Sequence, residues 1–316
     1  MAGLAGRFAR ERASALALAL LFTLLALLAP RFFSPGNLRD VVLANAAVLI
    51  VALGMTMVII AGDVDVSVGA TLGVCAVVVG VLARAGLPMP VAAAAAVGCG
   101  ALVGLANGLL VGALGLPSIV ATLAMLVILR DGLRWATEGA WVRDLPADFQ
   151  WLGLGQSAGE GLVISVAAAL ALATAWTLRS TGFGRAVYAT GSDVESARIA
   201  GLSPGAVTTA AFVACGALTG VAAVLNAIRF AEVQGSSGAG LELRVIAAVI
   251  VGGASITGGR GSVLGTVLGV MLLGAIGTGL TFLGVSAYWE TAAQGAIILT
   301  ALLSDRAAQR VSAEAV

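Results

Sequence analysis

Six residues in one charged stretch have the types and spacing to act on a partner: Ser192, Asp193, Glu195, Ser196, Arg198 and Gly201, within LRSTGFGRAVYATGSDVESARIAGLSPGAV at Leu178 to Val207. Ser192 and Asp193 are N-cap types, with side-chain oxygens suited to the free N–H groups of a helix start. Glu195 in the first turn and Arg198 near the end complement the dipole of a helix over Val194 to Ala200. Gly201 and Pro204 then stop it. The pattern predicts a short, charged helix between turns, fit either for a groove on a soluble protein or for an ordinary connection. The chemistry on offer is docking, not bond making.

A second set of polar groups stands inside apolar runs: Asn45, Asn107, Thr122, Thr174, Thr209, Asn226 and Thr266. Amides and hydroxyls suit a neutral, hydroxylated solute, and equally bond one helix to another. A third feature is GDVDVSVG at Gly62 to Gly69, just before a new apolar run. Asp65 there can cap a helix starting near Ser67, or can meet a solute where glycine permits a break in the helix. From these sets, Asn45, Asp65, Ser67, Asn107, Thr122 and Asn226 are the candidate lining of a solute path.

Absences remove whole mechanisms. All 17 cationic side chains are arginines. Without lysine the glycine-rich GGRGS at Gly258 to Ser262 is no Walker A loop, so nucleotide hydrolysis must be sought on another chain. Without histidine there is no imidazole base, metal ligand or proton relay. Cys75, Cys99 and Cys215 are odd in number and sit in apolar runs, where they read as small hydrophobes. No metal or cofactor is expected. A formal net charge of +1 with scattered arginines gives no nucleic-acid footprint.

The elements that must carry these residues follow from composition. With 60% hydrophobic and 10% charged residues, the chain is an all-α integral membrane protein. Apolar runs occur near Ala13 to Ala29, Val41 to Ala61, Ser67 to Leu82, Pro90 to Leu114, Ser118 to Trp135, Leu162 to Leu178, Ala206 to Ile228, Val245 to Ile256, Val263 to Leu283 and Trp289 to Leu303. They predict about ten spans, each of about 20 residues. The first reads as an uncleaved helix, since no small-residue cleavage site follows it. Ten spans place both termini on one side, and Arg7, Arg10, Arg12, Arg179, Arg185 and Arg198 point to the cytoplasm. Trp135, Trp141, Trp151, Tyr288 and Trp289 then fall at the outer face. The span interiors offer no evident buried acid or base, which argues against an ion-coupled carrier.

Four pieces in order carry a family resemblance: GDVDVSVG at Gly62 to Gly69, Asn107-Gly108 with LPSIVATL at Leu116 to Leu123, YATGSDVESARIAG at Tyr188 to Gly201, and IAAVIVGGASITGGRGSVLG at Ile246 to Gly265. They resemble ABC importer permeases of the ribose, arabinose, xylose and galactose class. VDVSVGATLGVC at Val64 to Cys75 and TEGAWVRDLPADFQW at Thr137 to Trp151 are most similar to permeases for autoinducer-2 and rhamnose. The resemblance implies one permease domain over residues 1–316, with the vitamin B12 importer-like fold, an inverted repeat, broken helices and a coupling loop at residues 179–206. It also implies a second permease subunit, identical or paralogous, a cytoplasmic tandem-domain ATPase, a periplasmic or extracellular sugar-binding protein, and contact with membrane lipid of a bacterial inner membrane. Within that coupling loop the ATPase-coupling residues would be Ser192, Asp193, Glu195, Ser196, Arg198 and Gly201. A branched-chain amino acid permease and a secondary carrier are the competing readings.

Overall fold

The computed structural model describes residues 2–285 together with Trp289, Ala292, Gly295 and Ala296. Eleven α-helices are named within that range: α1 Ala2–Leu28, α2 Pro35–Ala61, α3 Val68–Arg84, α4 Met89–Gly108, α5 Ser118–Thr137, α6 Gln156–Ser180, α7 Gly182–Ser192, α8 Val194–Ile199, α9 Pro204–Ala227, α10 Leu241–Val251 and α11 Val263–Phe282. A π turn over Leu109–Ala113 continues α4. Among the described residues the only β contact is a single bridge between Val142 and Val233.

Nine of the ten expected apolar runs coincide with helices, and Trp289 to Leu303 lies outside the described residues apart from four positions. Among the described residues five helices are long and apolar enough to cross a membrane: Pro35–Ala61, Met89–Ala113, Gln156–Ser180, Pro204–Ala227 and Val263–Phe282. The others fall short for separate reasons. α3 has 17 residues, and α5 carries Arg130, Asp131 and Arg134 in its last turns. α10 has only 11 residues, about 16 Å and roughly half of a hydrocarbon core.

The missing half of that crossing is not helical. From Ile228 the chain runs back along α3 as an irregular segment, with Val233 against Gly80, Gly235 against Gly73 and Gly238 against Gly69. The run expected at Val245 to Ile256 therefore starts as helix earlier, at Leu241, and leaves the helix at Val251. The start of α10 meets the first turn of α3, where the carboxylate of Glu242 touches Gly69. Irregular backbone at such depth survives only when protein covers it. Glycines along α3 let it lie close enough to be covered.

α2 is the central helix. Every residue from Ile50 to Ala61 is buried, and α2 packs against α6, α7, α9, α10 and α11. Beside it, α4 and α9 lie antiparallel with almost no side chain between them. Gly100, Gly104, Gly108 and Gly112 recur every four residues along α4 and its π turn. A Cβ at Gly104 would overlap the carbonyl oxygen of Phe212, and one at Gly108 would come within 2.7 Å of the Thr209 Cα. The same stripe places Gly100 on Gly216 and Gly112 on Gly205. This is a small-residue helix interface of the kind used where lipid supplies no hydrophobic drive.

Loops gather at two ends. One end holds the α2–α3 junction, the α4–α5 loop, α7 and α8, and the α10–α11 loop. The other holds the α5–α6 loop and the start of the irregular segment, joined by the bridge of Val142 to Val233. Among the described residues three acids are buried: Asp65, which the sequence offers as a cap or solute contact, and Glu160 and Glu242, which the apolar runs do not disclose. Each sits at or near a helix start. Arg39 reaches Glu160 at 3.1 Å and Arg130 reaches Glu242 at 3.0 Å, each from another helix. Reading apolar runs alone placed these acids in loops.

The glycine stripe makes a sharp prediction. Gly104→Ala drives its Cβ into the Phe212 carbonyl, an overpacking cost of about 1–3 kcal/mol. Gly98→Ala, with nothing within 4 Å, should be neutral or slightly stabilising. Thermal unfolding of the purified variants should show a lowered Tm for the first and not for the second.

Candidate functional site

At the end that carries α7 and α8, the charged stretch forms two helices rather than one. Thr181 caps α7, its Oγ1 accepting from Gly184 N at 3.1 Å. α7 was not anticipated, because GFGRAVYATGS alternates glycine with helix formers and shows no long apolar stripe. Ser192 is the last residue of α7 and its Oγ donates to Tyr188 O at 2.8 Å, so it does not cap α8. Asp193 does that, accepting from Ser196 N at 2.8 Å. That backbone N–H holds the Asp193 carboxyl below the usual carboxylate range, so the cap stays charged at neutral pH.

α8 then presents what a docking helix needs. Glu195 and Arg198 pair at 2.6 Å on its exposed side, beside Ile199, which is 80% exposed, and Val194. Ala197 alone faces inward. Gly201 closes the helix at φ 83°, a conformation that favours glycine. Pro204 opens α9.

The anchoring of this pair is where sequence reading missed residues. Tyr188 Oη donates to Gly261 O at 2.9 Å. Gly191 packs on the Ile60 carbonyl, which itself accepts from Gly259 N at 2.8 Å. Ser192 sits against Gly259. α7 is thus wedged between the end of α2 and the α10–α11 loop. The dense glycines of GGRGSVLG were the available signal, since only residues without a Cβ allow such contact.

Next to this wedge lies a polar junction built from the signature stretch. Asp65 accepts from Ser67 N at 2.9 Å and from Ser67 Oγ at 2.6 Å. Asn107 Nδ2 donates to Ser67 Oγ at 2.8 Å and reaches both Asp65 oxygens at 3.4 and 3.5 Å. Thr122 Oγ1 accepts from Val66 N at 3.1 Å and donates to Ser118 O at 2.8 Å. Three of the six candidate path residues bond to one another, and Thr122 joins them through the backbone of Val66, between Asp65 and Ser67. All four are buried, Asp65 at 2% exposure. In this conformation they close the α2–α3 junction, and Asp65 holds the turn before α3 by bonding Ser67, the N-cap residue, which itself makes no side-chain cap bond.

The other two lie apart. Asn45 Nδ2 donates to Val41 O at 2.7 Å and the amide fills the space over Gly274. Asn226 is half-buried near the far end of α9. Among the described residues no group of His, Cys, Asp and Glu could hold a metal ion.

The junction predicts its own fragility. Asn107→Leu removes a donor from a buried carboxylate, a loss of about 1–3 kcal/mol. Thr122→Val should cost less, since Val66 N alone loses its acceptor while Thr122 returns its proton to its own helix. Circular-dichroism melts of both variants should rank Asn107→Leu as the larger loss.

Comparison with known proteins agrees with this architecture. Residues 37–302 match the family described as Branched-chain amino acid transport system / permease component. The chain is 36% identical over 296 residues to the Autoinducer 2 import system permease protein LsrC of Salmonella typhi, covering 94% of this chain and 85% of the relative. It is 37% identical over 300 residues to the proteins of the same name from Escherichia coli K12 / DH10B and from Shigella flexneri, covering 94% of this chain and 86% of each. No solved structure matches. With a helical bundle of apolar spans, a match across most of its length and relatives that are import permeases, the chain belongs to this permease family and is a membrane-embedded transport subunit of an ABC-type importer, not an enzyme.

Proposed function

We propose that the chain forms the translocation pathway of an ATP-driven importer for a monosaccharide or sugar-like solute, such as rhamnose, ribose or autoinducer-2. The observation that carries the coupling half of this reading is α8: six residues, capped by Asp193, exposing Glu195, Arg198 and Ile199, on a base anchored by Tyr188 and Gly191. Likeness to autoinducer-2 import permeases over 94% of the chain supports the solute class. The family description names branched-chain amino acids; the resemblance of Val64 to Cys75 and of Thr137 to Trp151 to sugar-class permeases weighs against that solute.

In this reading the α7–α8 end faces the cytoplasm, about ten spans cross the inner membrane, and both termini are cytoplasmic. The broken crossings at residues 62–67 and 229–240 support a vitamin B12 importer-like fold with an inverted repeat. Ser67 and Ser262, which open the similar stretches SVGATLGV and SVLGTVLGV, each stand at the start of a helix, α3 and α11. Two permeases, identical or paralogous, form the pore, driven by a tandem-domain ATPase and fed by a periplasmic or extracellular sugar-binding protein. ATP binding closes the ATPase and draws α8 with it. α7 carries the displacement to Ile60 and Gly259, and so to the junction of Asp65, Ser67, Asn107 and Thr122. That junction meets solute when it opens; Asn45, packed over Gly274, and Asn226, near the far end of α9, stand apart from it.

Two outcomes test this. The Glu195–Arg198 pair is exposed, so it contributes at most about 1 kcal/mol to stability. Glu195→Arg with Arg198→Glu should leave the melt unchanged while transport and stimulated ATP hydrolysis fall at least tenfold. Wild-type transport by the double variant would remove α8 from the coupling role. In proteoliposomes holding permease, ATPase and binding protein, ATP alone should drive uptake without an ion gradient. Gradient-driven uptake by the permease alone would replace this reading with a secondary carrier.

A further inference from the structure

At the end opposite α8 a cavity of about 290 Å³ opens between α3, α5, the α5–α6 loop and the irregular segment before α10. Its lining includes Arg130, Thr137, Trp141, Gln234 and Ser236, over a floor at Gly69 and Gly235. The volume suits a pentose or hexose and is small for anything larger. Resting on the importer reading above, we propose that this cavity is a receiving site for a neutral, polyhydroxylated solute of monosaccharide size.

The electrostatics select the ligand class. Three arginines stand at or beside the cavity, and each is already neutralised: Arg130 by Glu242 at 3.0 Å, Arg134 by Asp131 at 3.6 Å and Arg143 by Glu232 at 3.4 Å. A carboxylate ligand would have to displace one of these partners. A sugar hydroxyl needs no free charge and can accept from the outer N–H groups of a guanidinium that remains paired. Gln234 and Ser236 add donors and acceptors on the opposite wall. Trp141, 46% exposed, offers an apolar face of the size of a sugar ring beside a polar rim. Arg143 lies over the same ring at 5.9 Å, which holds the indole in place.

The floor links the cavity to the broken crossing. Gly69 is in the first turn of α3, and the second Glu242 oxygen, Oε2, is buried against it without a hydrogen-bond partner. An unpaired buried carboxylate oxygen is costly, and Glu242, which does not itself line the cavity, holds Arg130 in the cavity wall through its other oxygen. Occupancy thus touches the place where the first turns of α3 and α10 meet, one end of the path that the polar junction closes at the other.

Saturation-transfer NMR on the permease–ATPase complex in lipid nanodiscs, with D-ribose, L-rhamnose and L-leucine as probes at millimolar concentration, tests the assignment. At least one of the two sugars should receive saturation and L-leucine should not. Trp141→Ala and Gln234→Leu should each reduce the transfer at least threefold, with Arg130–Glu242 untouched; Gln234 is exposed, so its replacement keeps the test usable if Trp141→Ala fails to assemble. No transfer to either sugar, transfer to L-leucine alone, or sugar transfer unchanged in both variants would overturn the site. ATP-driven sugar uptake measured on the same variants separates the two readings: uptake that persists alongside unchanged sugar transfer removes the cavity and leaves the importer standing.

Discussion

A peptide group in an apolar slab has no water to bond, so every residue that leaves a helix there must find its partners inside the protein. This chain leaves a helix twice where protein must cover the backbone, at residues 62–67 beside the α7–α8 end and at 229–240 along α3, and the remaining architecture answers that demand. At the first break Asp65 bonds Ser67 N and Thr122 accepts from Val66 N, side chains taking the place of missing helical carbonyls. At the second, the backbone lies in a trough on α3 whose walls are lowered by Gly69, Gly73 and Gly80. The buried Asn, Asp, Ser and Thr side chains near the first break are needed by the backbone before any solute arrives.

The same demand explains why the α7–α8 end is closely packed against α2 and the α10–α11 loop. A displacement at α8 transmits only if the parts between are too tightly packed to absorb it. Between α8 and the first break there are few flexible side chains: Gly191 rests on the Ile60 carbonyl, Gly259 donates to it, and Tyr188 reaches Gly261. Backbone bears on backbone, and the short α8 sits on a tightly packed base.

Legibility in the sequence followed the physics of each element. Runs of Ala, Leu and Val at helical length announced α2, α4, α6, α9 and α11, since one long apolar stretch has one solution in lipid. The cap at Asp193, the pair Glu195 and Arg198, and the stop at Gly201 were readable because caps are local chemistry. α7 was not readable, nor were the ion pairs Arg39–Glu160 and Arg130–Glu242, whose partners are more than a hundred residues apart. The gathering of Asp65, Ser67, Asn107 and Thr122 depended on α4 and α5 meeting the α2–α3 junction, which no single segment encodes. Asn45 and Asn226 carried the same chemical label and ended elsewhere.

The π turn at Leu109–Ala113 has a consequence for how this bundle tolerates change. Glycines every four residues drift around an α-helix by about 40° per step, so a straight α4 would rotate Gly112 away from α9. A wider turn takes up the surplus residue and returns Gly112 to its seat on Gly205. Rewinding the same residues as regular α-helix, with none removed, would swing everything downstream by about 100°. Leu116, Pro117 and Ser118 would then approach the signature loop from the wrong side, and Thr122 would lose Val66 N. The winding defect acts as a phase adjuster, setting the angle at which α5 enters the bundle.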